Sequence, residues 1–507
     1  MRKHGTCRLA AAAPLPLTAP RGSSGGTAVE RRRSGIHAGT WVVVAAALWL
    51  VRFVTLNGMP WQGAPLWMGW FDQSRYFTSA TALAHGDLTP AQHWYPLAYP
   101  LLAAPFAWIV PGDPFLPLDL LLYLATGWAF RRVAGRLGIG AWTATACFVL
   151  TTLVDAKVAR AWVDPWTTTL SAALIWMFAD RVLHMMDAAE PKRRRDAVAF
   201  GLLAAAIPLV RPVDALISAF GLAVLAVVLL RRRALSPRIA LLVCASGTAV
   251  VAGYAALHLA IYGPHATPYM IAAARTGFIW SDIGWKAYVL LIHAEPWFPD
   301  TQAILERMPW LPLGLAGLIG VGVAGDAAQR RVAGLLVLLA IPVSAVMLTY
   351  ADLQPPGLWR FGNIHYFKWT LPLFALGVML AVRLAREPGR WAMLAVMTAA
   401  CFAPLLLRIV PSPVDDGTPA RMLVFRGDTA RAWDEAYFAP VAIRDSAGAM
   451  THINDFHQVP DATGQRAIAV SRLFGAQPRR SDPGETLVPQ PQAPDGRFAE
   501  RVTVVGF

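Results

Sequence analysis

Charge is scarce in this chain of 507 residues: Asp, Glu, Lys and Arg together make up 15% of it. A soluble domain carries about 25% charged residues, so composition argues against a soluble multidomain enzyme. Cysteine is scarcer still. Cys7, Cys147, Cys244 and Cys401 are the whole set, and their spacing offers neither a disulfide framework nor a zinc site. No GxxxxGK[ST], HExxH or CxxC occurs, the carboxylates form no D-x-D, and the outer histidines lack helical i, i+4 pairing. The usual devices of ATP-driven transport and metal hydrolysis are therefore missing. No internal repeat is visible.

What the chain has is apolar residue. Hydrophobic side chains make up 56%, the mean hydropathy is +0.44, and they come in long blocks. That pattern predicts an all-α polytopic membrane protein. A net charge of +14 could suggest nucleic acid, but most Lys and Arg stand in short clusters between the blocks, so no nucleic-acid partner is expected.

Eleven spanning segments are predicted, at roughly 39–57, 114–131, 139–155, 163–181, 197–211, 213–230, 238–262, 310–326, 332–350, 366–384 and 391–410. With the N-terminus inside, basic clusters follow every even-numbered segment, as the positive-inside rule requires of cytoplasmic loops. Arg131, Arg132, Lys192–Arg195, Arg231–Arg233, Arg330 and Arg331 are examples. Residues 95–111 hold four prolines and read as an interfacial or re-entrant helix. Segments five and six meet at Pro208–Arg211–Pro212 and read as a broken pair. The arm 1–38 reads as a disordered cytoplasmic segment, with no signal-peptide cleavage site after the first apolar run. Large outer loops follow at 58–113 and 263–309. The tail 411–507, with ten Arg against twelve Asp plus Glu, reads as a small extracytoplasmic β-rich domain, with β-like runs at 422–425, 467–474 and 501–507.

The outer face carries the chemistry. Asp72 follows closely on segment one among Trp70, Phe71, Tyr76 and Phe77, where a carboxylate suits a general base. Its bland alternative is a cap on a helix starting at Ser74. Asp87, in HGD, fits turn chemistry better. Lys157, Arg160, Arg211, Arg275, Lys286, Arg307, Arg360 and Lys368 break the positive-inside pattern, and such cations suit a phosphate or pyrophosphate. Snorkelling to headgroups explains any one of them, except Arg211, which lies between two apolar segments with Asp214 three residues on. Asp164 stands before Pro165, a helix-start signature. Outer tryptophans read first as an aromatic belt, with stacking on a sugar as the sharper alternative.

Five stretches recur in a known order: DQSRYFTSATALAHGDL, YPLAYPLLAAPF, ARAWVDPWTTTLSAALIW, GLLAAAIPLVRP and, later, HYFKWTLPLF. In this the chain resembles the GT-C integral-membrane glycosyltransferases of the protein-mannosyltransferase and aminoarabinose-transferase type, mainly over residues 39–260. It departs from them at Gln73, where protein mannosyltransferases commonly have Glu, and at Arg211, where a lysine is frequent in the aminoarabinose branch.

The resemblance implies an inverting transfer from a polyprenyl-phosphate-linked sugar to a lipid, glycan or protein acceptor outside a bacterial-type inner membrane. Asp72 would be the catalytic base. Arg211, Arg160, Lys157, Arg360 and Lys368 would hold the donor phosphate, while Asp164, Tyr76, Asp87 and His365 could touch substrate. The scheme calls for no cofactor and leaves a divalent metal open. A lipid-linked-sugar flippase should instead show an inverted repeat, and a non-catalytic assembly protein has no need of outer-boundary arginines.

Charge parity alone yields a test. Alkaline phosphatase fused at Asp416 is expected to be active and the same enzyme fused at Arg233 inactive; the reverse pattern overturns the orientation.

Overall fold

Apolar runs of this length become helices in lipid, because each backbone N–H and C=O must be satisfied within the segment. The structure, a computed structural model, describes residues 28–59, 66–187, 190–276, 278, 283–294, 301–350, 353, 355–360, 362–386 and 389–407, and seven short strands between 420 and 489. The chain divides into two units, Met1–Val44 and Ala45–Phe507; the start of α1 lies in the first, and the packing and site residues described below belong to the second.

The helices are α1 (Ala28–Asn57), α2 (Phe71–Ala84), α3 (Ala98–Ala103), α4 (Phe115–Arg136), α5 (Ala141–Leu153), α6 (Ala156–Val163), α7 (Thr167–Asp187), α8 (Glu190–Val210) and α9 (Ala215–Arg231). There follow α10 (Pro237–Tyr262), α11 (Pro268–Thr276), α12 (Ile283–Ala287), α13 (Ile304–Arg307), α14 (Leu311–Ala324), α15 (Ala327–Thr349), α16 (Pro355–Arg360), α17 (Thr370–Ala385) and α18 (Arg390–Leu407). Each of the eleven expected segments falls on one of them. Among the described residues four helices, Gly39–Asn57, Pro212–Arg231, Pro237–Tyr262 and Ala327–Thr349, are long and apolar enough to cross a membrane by length and composition. Three shorter apolar helices, α5, α14 and α17, accompany them. The pattern is that of a multi-pass helical membrane protein. On α10, Leu241, Val251 and Leu259 are exposed, a face that suits hydrocarbon and not water.

Two details differ from expectation. Helix α1 begins at Ala28, inside the arm expected to be without structure, so the basic run Arg31–Arg33 is helical. Residues 95–111 form two short pieces, α3 and a 3-10 stretch Ala104–Trp108, because proline at 100 and 105 denies a longer ladder its donors. Between α8 and α9 the expected break is present: Arg211 is extended (φ −145°, ψ 114°) and a 3-10 turn Pro212–Asp214 follows.

A cluster of buried aromatic and aliphatic side chains sets the position of α2. Trp67, Tyr76, Tyr99, Phe115, Leu118, Leu170 and Val210 pack together, tying the connection between α1 and α4 to α4, α7 and the end of α8. The strands β1 (Ala420–Val424), β2 (Val441–Arg444), β3 (Met450–Ile453), β4 (Phe456–Pro460), β5 (Arg466–Val470), β6 (Pro478–Arg480) and β7 (Thr486–Pro489) form two sheets. Their orders are β4-β5-β1-β6 and β3-β2-β7. The run at 501–507 lies outside the described residues. A GVGVAG run at 320–325 has the glycine spacing of a dinucleotide loop, but it closes α14 and follows no strand, which is the wrong context for one.

Helices α14 and α17 approach until their backbones touch. A Cβ on Gly317 would stand 1.9 Å from the Gly377 carbonyl oxygen, and one on Gly377 would stand 2.0 Å from that of Gly314. Small residues at this spacing are what close helix pairs in lipid require. Gly317→Leu is expected to lower the melting temperature in detergent by several degrees, through overpacking worth roughly 1–3 kcal/mol or more. Gly322→Leu, whose Cβ meets nothing within 4 Å, is the matched control and is expected to melt like the parent.

Candidate active site

Helix α2 starts one turn earlier than the sequence suggests, so Asp72 lies inside its first turn and is not its cap. Trp70 occupies the cap position in extended conformation, without a side-chain cap bond. The helix N-terminus favours a carboxylate there. Tyr95, from the stretch entering α3, donates its O–H to Asp72 Oδ1. The Tyr95 ring lies 4.7 Å from Tyr76 and 5.1 Å from Tyr269, centroid to centroid. Burial first, and the Asp72 charge second, push the phenols of Tyr76 and Tyr95 well above their usual range. Both therefore stay protonated and serve as donors. Tyr95 was not legible as a site residue beforehand, although the YPLAYP motif contains it.

Arg211 acts on two of the same tyrosines, Tyr76 and Tyr269. Its Nη1 is 3.5 Å from Asp214 Oδ2, and its Cζ stands 5.0 Å from the centroid of the Tyr366 ring. Asp214, fully buried, also accepts a 2.5 Å hydrogen bond from Ser171 Oγ on α7. The charged and phenolic groups that act on Arg211 are Asp214, Tyr366, Tyr269 and Tyr76, and those that act on Tyr76 include Asp72, Tyr366 and Tyr269. A guanidinium has five N–H donors. The described residues give this one a single weak hydrogen bond, to Met347 Sδ at 3.7 Å.

His365 joins this group from the 3-10 turn Asn363–Phe367. It stacks on Trp166 at 3.8 Å, lies 4.1 Å from the Tyr366 ring, and shares a 3.1 Å hydrogen bond with Thr168. Burial, then Arg211 and Lys368, hold its imidazole well below the usual range, so it is neutral at pH 7.

The remaining candidates disperse. Lys368 is wholly buried and donates to Ala161 O at 2.7 Å and Thr169 Oγ1 at 2.6 Å. It ties α6 to α7 through these bonds. Asp164 ends α6 and does not start α7. Its Oδ1 accepts from Asn57 Nδ2 at 2.8 Å and its Oδ2 lies 3.8 Å from Arg160. The aspartate that caps a helix here is Asp155, at the start of α6. Asp87 forms an exposed turn, accepting from the Thr89 N–H at 2.9 Å, and hydrogen bonding from the Thr89 side chain first and its N–H second holds the carboxyl below the usual range. Arg307 pairs with Asp155 at 2.9 Å, and Lys286 donates to the Tyr350 carbonyl. The side chains of Arg275 and Arg360 lie outside the described residues. Lys157 and Arg160 line a separate cavity with Trp70 and Trp359. Among the described residues no group of three or more His, Cys, Asp or Glu is placed to hold a metal ion.

No family model and no curated protein matches the sequence. Solved structures do. ArnT from Cupriavidus metallidurans bound to undecaprenyl phosphate aligns with a TM-score of 0.44 at 18% identity, over 74% of this chain and 67% of that one. The same protein in the apo state gives 0.35 at 18% identity over the same shares. The Archaeoglobus fulgidus oligosaccharyltransferase in the apo form gives 0.36 at 12% identity over 72% of this chain, which spans 54% of its length. At these identities the function is argued below from this chain's own residues.

One carboxylate beneath the site yields a pH prediction. Asp113 caps α4, accepting from the Phe115 and Leu116 N–H groups at 3.1 and 3.0 Å. Burial nevertheless raises its carboxyl to about 7. A carboxyl raised on folding contributes stability that is fully present below its unfolded value and is lost as pH rises through the folded one. Melting temperature is therefore expected to fall from about pH 4 to about pH 7 more steeply in the parent than in Asp113→Asn, which keeps the cap. Parallel curves would show that Asp113 ionises without penalty.

Proposed function

We propose that this protein is an inverting GT-C-type glycosyltransferase that moves a sugar from a polyprenyl-phosphate donor to an acceptor hydroxyl on the extracytoplasmic face. The observation that carries the proposal is that Asp72 is bonded to Tyr95, whose ring packs on Tyr76, while Arg211 lies over Tyr366 and also acts on Tyr76. A half-buried carboxylate is at hand to take a proton, and a guanidinium with little hydrogen bonding from the described residues is at hand to hold an anion. The eleven spans, the outward-facing 411–507 and the inner-membrane setting belong to the same proposal.

The step is a single displacement. The acceptor O–H gives its proton to Asp72 as its oxygen attacks the anomeric carbon. The bond from that carbon to the donor's phosphate oxygen breaks, and its electron pair stays on the phosphate. Attack opposite the leaving group inverts the centre. The leaving group is already a stable anion, so it needs cations more than an acid. Arg211 supplies charge and a two-pronged fork for it, while the protonated Tyr76 adds a donor. The helices give the polyprenyl chain an apolar setting.

The test is release of free polyprenyl phosphate by the purified protein from a polyprenyl-phosphate sugar pool, with and without acceptor lipids. Only a transferase releases it in step with transfer. General-base catalysis contributes about 10²–10⁴-fold, so Asp72→Asn is expected to lose at least a hundredfold in rate while still binding donor lipid. Arg211→Ala removes charge-assisted bonds worth about 1.5–3 kcal/mol and is expected to cost roughly ten- to a hundredfold, with partial rescue by Arg211→Lys. An Asp72→Asn enzyme within a fewfold of the parent would remove the base from the scheme.

A further inference from the structure

Lys157 and Arg160 are three residues apart on α6 and so share one face of it. Beside them is a cavity of about 250 Å³ lined by Leu56, Trp70, Ala156, Lys157, Arg160, Trp359 and Gly362. Its cations are under-used. Among the described residues no acceptor takes a hydrogen bond from the Lys157 ammonium. Arg160 has long polar contacts, to Leu56 O at 3.3 Å and Asp164 at 3.8 Å, and its Cζ stands 5.9 Å from the Trp70 ring centroid. The nearby Asp155 carboxylate is occupied by Arg307 and by the Lys157 and Val158 N–H groups. Burial, then Arg160 and Arg307, lower the Lys157 ammonium from its usual range, a penalty that a bound anion would offset.

The cavity and the Arg211 site are lined by different residues: the charges beside Lys157 are Arg160, Arg307 and Asp155, whereas Arg211 pairs with Asp214. A continuous series of rings lies between the two. Trp70 stands 6.5 Å from Trp166, Trp166 is 3.8 Å from His365, His365 is 4.1 Å from Tyr366, and Tyr366 lies 5.0 Å from the Arg211 Cζ. Gly362 lines the same cavity. Its φ is +75°, and a Cβ there would meet Trp166 at 3.4 Å and Trp70 at 3.7 Å. The volume lies below the roughly 300–1,000 Å³ of sites for drug-sized ligands, which fits a headgroup and not a lipid chain.

We propose that this cavity is a second anion site, in which Lys157 and Arg160 bind a phosphate group whose attached headgroup or sugar packs on Trp70 and Trp359. Trp70 lies two residues before Asp72, so a molecule anchored here is placed to bring a hydroxyl to that carboxylate. The site therefore belongs to the acceptor, an assignment that rests on the transferase reading. The anion site itself does not rest on it. Lys157 and Arg160 thus part from Arg211, which keeps the donor phosphate.

The test is chemical protection of Lys157, one of five lysines in the chain, against acetylation. The full-length protein in dodecyl maltoside is acetylated with inorganic pyrophosphate, with dihexanoyl phosphatidic acid, or with neither, and each lysine is read by mass spectrometry. Either anion is expected to slow acetylation of Lys157 about tenfold with Lys192 unchanged, on the scale of one charge-assisted bond. Protection by pyrophosphate identifies a free or sugar-linked phosphate, and protection by the lipid alone identifies a headgroup. Arg160→Gln is expected to raise the anion concentration needed about tenfold, and Arg211→Gln to leave it unchanged. Absence of protection in both arms overturns the site, as does protection that survives Arg160→Gln but is lost in Arg211→Gln. Because the readout is not turnover, failure of the transferase assay would leave this result standing.

Discussion

Every charge drawn into this apolar bundle has to be compensated in place, and that constraint organises the site. Breaking a buried ion pair by removing one partner costs about 3–5 kcal/mol, so the partners are held as firmly as the charges. Arg211 faces Asp214, and Asp214 is held by Ser171 on another helix. Lys368 is held by a carbonyl of α6 and a hydroxyl of α7. Asp119 accepts from Tyr99 at 2.8 Å, and Asp164 accepts from Asn57. Apart from Arg211–Asp214, each tie joins different elements, so the polar network also fixes the positions of the helices that carry it.

A transfer of this kind sets a second requirement. The proton acceptor and the phosphate holder must lie near each other without neutralising each other as an ion pair. Here each is given a different partner: Asp72 takes the hydrogen bond of Tyr95, and Arg211 is matched by Asp214. The phenols between them remain protonated because burial and the Asp72 charge both oppose ionisation. They can donate hydrogen bonds without adding a third charge. The neutral, stacked His365 extends the same uncharged wall towards the Lys157 cavity.

Much of the fold was legible in the sequence. The eleven apolar segments all fall on helices, and the break at Arg211 follows from two flanking prolines and a charge that cannot lie in lipid. Asp72 was marked by its place after segment one, and Arg211 by having no reason to be apolar. Helix starts were read less well. Asp164 before Pro165 looks like a cap, yet α6 ends there and the real cap is Asp155, because the preceding short helix leaves no periodic signal long enough to distinguish the two.

The sequence by itself determined the class of protein, the long helices and the two residues on which the proposed chemistry turns, because hydropathy and charge placement are local properties read along the chain. Only the tertiary structure decided which cations are free for an anion. Lys368, Lys157 and Arg160 look alike in the sequence as expected outer-boundary charges, but Lys368 donates hydrogen bonds to Ala161 and Thr169, about two hundred positions away. Lys368 is used up inside the bundle, whereas Lys157 and Arg160 open onto a cavity. Tyr95 gained its place in the same way, from a contact that depends on how α2 and α3 pack and that no spacing in the sequence expresses.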